Sequence, residues 1–271
     1  MDDNLPSFEA IHLHDTLVRE SVMRSFHKGF RRWPLVTTSL VIGIVGVHLL
    51  GLGLDWWFGP YGLLEVLSSG PGVAVLEALG ARNSELVAEG EVWRLLSCVF
   101  LHAGPFHLGL NMLALFGLGR LCEAVYGPRR FLGLFLISGL LGSFLSQLGG
   151  TGLSVGASGA VFGLMGAGVV FGLRSRRELP GPLRSIFGRG LVPWVVLNLF
   201  IGFSVPRIDN LGHLGGMLGG AVCAALFGDQ IVPGRRGSRS AWEVATWLGI
   251  LLIGWTLVQM ASNLLSQIQP V

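Results

Sequence analysis

Long runs of apolar residues, separated by short polar segments, dominate the hydrophobic pattern of the chain. Seven of these runs approach the length of about 20 residues that an α-helix needs to cross a bilayer. They are Leu35–Leu54, His107–Tyr126, Phe131–Gly149, Gly156–Leu173, Leu191–Ser204, Leu211–Gly228 and Trp242–Leu265. The pattern therefore predicts an all-α membrane protein with seven transmembrane helices.

The segment before the first run is polar, with apolar residues at roughly helical spacing. It lacks the pattern of a cleaved signal peptide, so we expect it to be retained. The apolar positions are Leu13, Leu17, Val22, Phe26, Phe30 and Trp33, and the basic residues between them are Arg19, Arg24, Lys28, Arg31 and Arg32. An amphipathic helix on an anionic leaflet and a solvated basic tail both fit this pattern.

The runs divide the chain into three parts. Residues 1–34 form the N-terminal segment, residues 35–228 a six-helix core, and residues 229–271 a basic loop followed by the seventh helix. The longest loop, residues 55–106, mixes glycine and proline with aromatic residues. We expect this loop to rest on the membrane surface rather than to fold as a separate domain.

Composition and charge agree with a membrane protein and orient it. The chain is 51% hydrophobic and 13% charged, with a mean hydropathy of +0.63. Of its 19 Lys and Arg residues, only Arg82, Arg94 and Arg207 fall on one side of the predicted membrane. The positive-inside rule then places the N-terminus in the cytoplasm and the C-terminus outside. The net charge of +3 reflects this topology and gives no case for nucleic acid. Short loops and the lack of a targeting segment suggest a prokaryotic plasma membrane.

One hydroxyl, that of Ser158, stands in the otherwise apolar stretch Val155–Gly168. A serine in an apolar helix commonly packs and bonds back to a carbonyl one turn earlier. The predicted topology, however, brings other polar groups to the same depth: His107 and Asn111 at i, i+4, and His213. Since imidazole can activate a serine hydroxyl, Ser158 and His213 predict a nucleophile and its base.

Further residues support this hypothesis. Asn111 and His107 could donate to the oxyanion of a tetrahedral intermediate, together with the backbone N–H of Ser158 at the start of its helix. Asp209 lies in the loop before His213, so a Ser–His dyad is favoured over a triad. The small-xxx-small spacing of Gly159 and Gly163, and of Gly212, Gly216 and Gly220, would let the two helices approach closely.

The stretches GASGAVFG, HAGPFHLGLN and DNLGHLGG, together with Trp93-Arg94, resemble the rhomboid intramembrane serine proteases. The resemblance covers about Leu35 to Gly228 and implies a six-helix rhomboid-like transmembrane bundle, here with one C-terminal transmembrane helix added (6+1). It implies Ser158 as nucleophile, His213 as general base, and His107 and Asn111 in the oxyanion hole, with His102 near that hole. Gly212 departs from the alanine that the family often has before the histidine, a difference that affects packing more than chemistry.

The resemblance also implies structural roles and a substrate. Trp93-Arg94 would belong to a membrane-embedded first loop, with Arg94 bonding backbone carbonyls, and Glu123 with Gly127 to the end of the second transmembrane helix. Neither a metal nor another cofactor is implied. The expected substrates are single-span transmembrane proteins, cut near the outer face of the lipid bilayer.

Alternative interpretations remain open at this stage. His107 and Asn111 could join helices by hydrogen bonds, and His102 could serve loop structure. A transporter or channel could use intramembrane His and Asn side chains as ligands, although the polar groups all lie at one face. A non-catalytic membrane chaperone of the same fold is the third possibility, although such relatives lack the serine or the histidine.

Overall fold

The computed structural model describes residues 8–150, 152–205, 208–234 and 239–268. Each of the seven apolar runs forms one helix, and its ends lie within a few residues of the predicted ones. The elements are α1 (Phe8–Phe30), α2 (Leu35–Phe58), α3 (Leu63–Ser69), α4 (Val73–Ala78), β1 (Arg82–Asn83), α5 (Ser84–Ala88), α6 (Arg94–Ser97), α7 (Pro105–Tyr126), α8 (Pro128–Leu148), β2 (Leu153–Ser154), α9 (Ser158–Arg174), α10 (Gly181–Ile186), α11 (Val192–Ser204), α12 (Asn210–Phe227) and α13 (Arg239–Ile268).

The lengths of these helices fit a membrane protein. Among the described residues, five helical segments are long and apolar enough to cross a bilayer. The remaining two runs form the shorter apolar helices α9 and α12, of 17 and 18 residues. The all-α membrane class is therefore confirmed, whereas the number of helices that cross the bilayer stays a prediction, as does the division at residues 34 and 228.

Glycines bring α8, α9 and α12 into close contact at the centre of the molecule. A methyl group on Gly216 would overlap the carbonyl oxygen of Gly159, and one on Gly220 would overlap that of Gly163. A Cβ on Gly142 of α8 would likewise lie 2.7 Å from a carbonyl oxygen of α12. Small residues at this spacing let backbones touch, which is how helices associate in lipid.

Substitution of Gly216 by alanine should therefore destabilise the protein. The added methyl group would push α12 away from α9, at a cost of about 1–3 kcal/mol for overpacking. Thermal unfolding in detergent micelles measures the effect. The matched control is Gly46→Ala in α2, because nothing lies within 4 Å of a Cβ at that position. Equal unfolding temperatures for the two variants would contradict the packing argument.

The loop of residues 55–106 folds into short helices that pack on the bundle. Its strand β1 pairs with β2 in antiparallel register, Arg82 opposite Ser154. Five of its buried residues, Leu76, Leu79, Ala81, Trp93 and Leu101, form an apolar cluster with Met260 of α13. In addition, Asn263 of α13 donates a hydrogen bond of 2.8 Å to the carbonyl of Ala78. The loop thus has its own buried contacts with helix α13.

The N-terminal segment is helical, and part of its apolar face packs on the rest of the protein. It forms α1, but Val22 and Phe26 are buried in the protein core, at 0% and 5% exposure. Phe26 meets Phe187 edge-on, and Gly29 lies directly against the backbone of Ala124 in α7. The apolar face of α1 is therefore partly covered by protein, because the ends of α7 and α10 offer a surface that the sequence pattern does not reveal.

Glu123 holds the beginning of α2 rather than simply ending α7. Its carboxylate accepts hydrogen bonds from the backbone N–H groups of Val36 and Thr37, at 3.2 and 2.9 Å. It also accepts one from the hydroxyl of Thr37, at 2.7 Å. A helix start has unpaired N–H groups and a positive dipole end, so a carboxylate there stabilises the helix.

Candidate active site

The hydroxyl of Ser158 and the imidazole of His213 lie within hydrogen-bond distance. The Oγ of Ser158 is 2.9 Å from the Nε2 of His213. Ser158 is the first residue of α9, and His213 lies in the first turn of α12. The close packing of these two helices sets the distance, since Gly159 and Gly212, the neighbours of the two side chains, face each other across the contact.

The ring of Phe162 fixes the plane of the His213 imidazole. The two rings are stacked, with their centroids 4.2 Å apart and an interplanar angle of 12°. Phe162 follows Ser158 by four residues, so both side chains lie on the same face of α9. This contact was not predicted from the sequence, although the i, i+4 spacing of Phe162 from Ser158 was a signal for it.

Asp209 does not bond to the imidazole of His213. It caps α12 instead, since its Oδ1 accepts a hydrogen bond of 2.8 Å from the N–H of Gly212. Its Oδ2 accepts from the hydroxyls of Ser146 and Ser154, the latter at 2.8 Å. Within the described part of the chain, the Nδ1 of His213 has no hydrogen-bond partner. The arrangement is therefore a serine–histidine pair without a carboxylate behind it.

His107 lies on the other side of Ser158, against Gly156. Gly156 has a φ of +131°, a conformation that favours glycine. A Cβ at this position would lie 2.8 Å from the Nε2 of His107 and 3.9 Å from the Oγ of Ser158. The imidazole and the hydroxyl therefore border the same small space, which a larger residue would fill.

His102 is buried, at 1% exposure, and its ring centroid is 5.0 Å from that of His107. Burial, together with the charges of His107 and His48, lowers the pKa of His102 to about 3. The side chain is therefore neutral at physiological pH. Its Nε2 lies 3.4 Å from the N–H of Ala157, the residue before Ser158, and accepts from it. This contact supports the loop that leads into α9.

Asn111 is buried, at 7% exposure, one helical turn after His107. Its Nδ2 donates a hydrogen bond of 2.9 Å to the carbonyl of His107 in the same helix. An amide nitrogen carries two hydrogens, so one donor remains for another acceptor. The structure thus brings His102 and His107 together at the start of α7, beside the segment that leads into Ser158, with Asn111 one turn further along α7.

Trp93 and Arg94 belong to the folded loop. Arg94 is 2% exposed and donates to the carbonyls of Glu77 and Ala81, at 2.6 and 3.2 Å. Its Nε forms a salt bridge of 2.6 Å with Glu91. The guanidinium lies 4.7 Å from the ring centroid of Trp93. These contacts hold three parts of the loop together and stay within it.

The apolar helices define a multi-pass membrane protein. The polar groups of its candidate site lie at the starts of α7, α9 and α12. The described residues include no group of three or more His, Cys, Asp or Glu side chains that could hold a metal ion.

The model of the Rhomboid domain matches residues 89–230, about half of the chain, and the chain therefore belongs to the rhomboid family.

Curated relatives agree with this assignment. The chain is 38% identical to the "Rhomboid protease GluP" of Bacillus subtilis (strain 168) over 212 residues, which are 74% of this chain and 41% of that protein. It is 43% identical to "RHOMBOID-like protein 5" of Arabidopsis thaliana over 159 residues, 58% of this chain and 50% of that protein. For the "Rhomboid-like protease 1" of Toxoplasma gondii, the identity is 33% over 186 residues, 67% and 62% of the two chains. The matches thus span about two fifths to three fifths of these relatives.

Proposed function

We propose that this protein is an intramembrane serine endopeptidase in which Ser158 is the nucleophile and His213 the general base. The observation that carries the proposal is the distance of 2.9 Å between the Ser158 Oγ and the His213 Nε2. The names of two relatives, which include the word protease, support it. A hydroxyl needs a base at this distance, because at neutral pH it is otherwise a weak nucleophile.

The reaction then proceeds in two halves. As the Oγ of Ser158 bonds to the scissile carbonyl carbon, the Nε2 of His213 takes the hydroxyl proton. The same nitrogen returns this proton to the amide nitrogen when the C–N bond breaks, which releases the amine and leaves an acyl group on Ser158. Water, deprotonated by His213, attacks the ester carbonyl, and Ser158 leaves with the proton. Stacking on Phe162 keeps the imidazole in one orientation during both halves.

The tetrahedral intermediates carry a negative oxygen, and the end of α7 supplies donors for it. We assign this role to the second N–H of Asn111, to His107, and to the backbone N–H of Ser158. His102 acts indirectly, since it accepts a hydrogen bond from the backbone N–H of Ala157, the residue next to the nucleophile. The neutral state of His102 agrees with this supporting role, because its Nε2 accepts rather than donates.

The substrate follows from the depth of the pair. Ser158 and His213 lie within the first turns of α9 and α12. The charge distribution orients these first turns toward the outer face of a prokaryotic plasma membrane. A transmembrane segment is helical, and its carbonyls are hydrogen-bonded, so it must unwind locally before attack. The small space between His107, Gly156 and Ser158 favours a small residue on the N-terminal side of the scissile bond.

A single-span substrate with a small residue near its outer boundary should be cleaved there. Replacement of Gly or Pro residues within its transmembrane helix by Leu should slow cleavage, because Leu stabilises the helix against unwinding. The purified protein, reconstituted in liposomes with such substrates, provides the assay, and mass spectrometry of the products locates the cut.

A matched substrate with Leu substituted outside its transmembrane segment serves as the control for sequence changes as such. Products that map to the cytoplasmic half of the segment would contradict the proposed depth of the site. Equal rates for helix-breaking and Leu-substituted substrates would contradict the requirement for unwinding.

A further inference from the structure

A polar network around Asp209 joins the helix of His213 to the loop of Ser158. The Asp209 carboxylate accepts hydrogen bonds from β2, from the end of α8 and from the first turn of α12. The donors are the hydroxyl of Ser154, the hydroxyl of Ser146 and the N–H of Gly212. The contacts with Ser154 and Ser146 connect the start of α12 to β2 and to α8, whereas the contact with Gly212 is the cap of α12 itself.

Asp209 and Ser154 occupy equivalent positions, one before each residue of the Ser158–His213 pair. Asp209 precedes His213 by four residues, and the N–H of His213 donates to its carbonyl at 3.1 Å. Ser154 precedes Ser158 by four residues, at the other end of the short segment that enters α9. A hydrogen bond between Asp209 and Ser154 therefore ties together the two segments that lead into the pair.

A second set of contacts anchors this network to the outer loop. Arg82, fully buried and opposite Ser154 in the β1–β2 pair, donates to Gln147 of α8 at 3.1 Å. Burial lowers the pKa of the Arg82 guanidinium, and the negative charge of Asp209 acts in the opposite direction. The hydroxyls of Ser146 and Ser154 and the buried Arg82 thus give the Asp209 carboxylate a polar environment.

We propose that Asp209 is a positioning residue, whose carboxylate sets the distance between the Ser158 hydroxyl and the His213 imidazole by fastening the start of α12 to β2 and α8. This inference rests on the proposed function. Asp209 acts through the backbone of α12 and the Ser154 segment, since it makes no contact with the imidazole. A displacement of about 1 Å in such a pair lowers a reaction rate by up to about 100-fold.

The rate of labelling by a fluorophosphonate probe reports on the pair in each folded molecule. Asp209→Ala should label about 10- to 100-fold more slowly than wild type, but reach the same final extent. In substrate cleavage, the same variant should lower kcat and leave KM nearly unchanged, because the substrate contacts are not altered. Ser154→Ala, which removes one of the three donors and leaves the cap of α12, should show a smaller loss in the same direction.

Asp209→Asn separates geometry from charge. The amide oxygen still caps Gly212, and the amide nitrogen can donate to the hydroxyl oxygens of Ser146 and Ser154, which can accept as well as donate. We therefore expect Asn to restore most of the labelling rate that Ala loses. An Asn variant as slow as the Ala variant would overturn the proposal, because the charge and not the connection would then matter.

Asp229→Ala is the matched control, at the opposite end of the same helix. Asp229 is also buried and accepts backbone hydrogen bonds from Ile231 and Val232, at 3.0 and 2.7 Å. Its loss should lower thermal stability without slowing the labelling of folded molecules. If Asp209→Ala and Ser154→Ala both label at the wild-type rate, the positioning role is wrong while the protease function stands. If wild type itself is not labelled, the proposed function fails, and this inference fails with it.

Discussion

Replacement of Ser158 by alanine is expected to abolish peptide-bond cleavage, with a loss of roughly 10⁴-fold or more. In the proposed mechanism the hydroxyl oxygen is the atom that bonds to the substrate carbon, and in the structure its hydrogen-bond partner is the Nε2 of His213 at 2.9 Å. His213→Ala should give a loss of similar size, since a nucleophile and its base act as a unit. Cleavage of a reconstituted single-span substrate and covalent labelling by a fluorophosphonate probe measure both variants.

Ser204→Ala is the matched control for these variants. The hydroxyl of Ser204 also lies in an apolar helix, and it bonds back to the carbonyl of Phe200 at 2.7 Å. Deletion of this hydroxyl should leave cleavage and labelling unchanged. The nucleophile assignment is wrong if Ser158→Ala still labels like wild type, and the assignment of the base is wrong if His213→Ala retains the wild-type rate.

Asn111→Ala should lower kcat by about 10²- to 10³-fold, the effect of losing one oxyanion donor in soluble hydrolases. One N–H of the Asn111 amide is bonded to the carbonyl of His107, which holds the side chain in place. In the proposed mechanism, the other N–H donates to the charge that develops near Ser158. Since this charge exists only in the transition state, kcat should fall while KM changes little.

Asn198→Ala in α11 controls for the loss of an amide from an apolar helix. The Nδ2 of Asn198 donates to the carbonyl of Trp194, four residues earlier, at 2.8 Å. The contact has the same form as that of Asn111, but it lies on a different helix. Unchanged kcat in a correctly inserted Asn111→Ala protein would place Asn111 among the packing residues instead.

The positions of the helices could be predicted from the sequence because lipid imposes a simple local rule. A chain in the bilayer must satisfy its backbone internally, so each long apolar run becomes a helix. The same regularity placed Ser158 and His213 in the first turns of two helices, and the glycines near them indicated that these helices approach. In the structure, the two side chains lie at hydrogen-bond distance.

The N-terminal helix shows where this rule stops. Its apolar spacing predicts an amphipathic helix, but not the surface that covers the apolar face. Lipid, water and protein are equally compatible with Val22 and Phe26 at helical spacing. Only the arrangement of α7 and α10 decides that both residues are buried in the protein.

The sequence by itself determined the all-α membrane class, the approximate helix ends and the residues of the candidate pair. The class and the helix ends depend on neighbours within a few turns of one helix, and the candidate pair followed from the predicted topology and from the motifs around each residue. The tertiary structure alone decided the contacts between distant segments: Phe162 on His213, Glu123 on the start of α2, and Asp209 between Ser146 and Ser154. A polar side chain shows in the sequence that it can form hydrogen bonds, but its partners come from other parts of the chain, and only the packing of the helices brings them within reach.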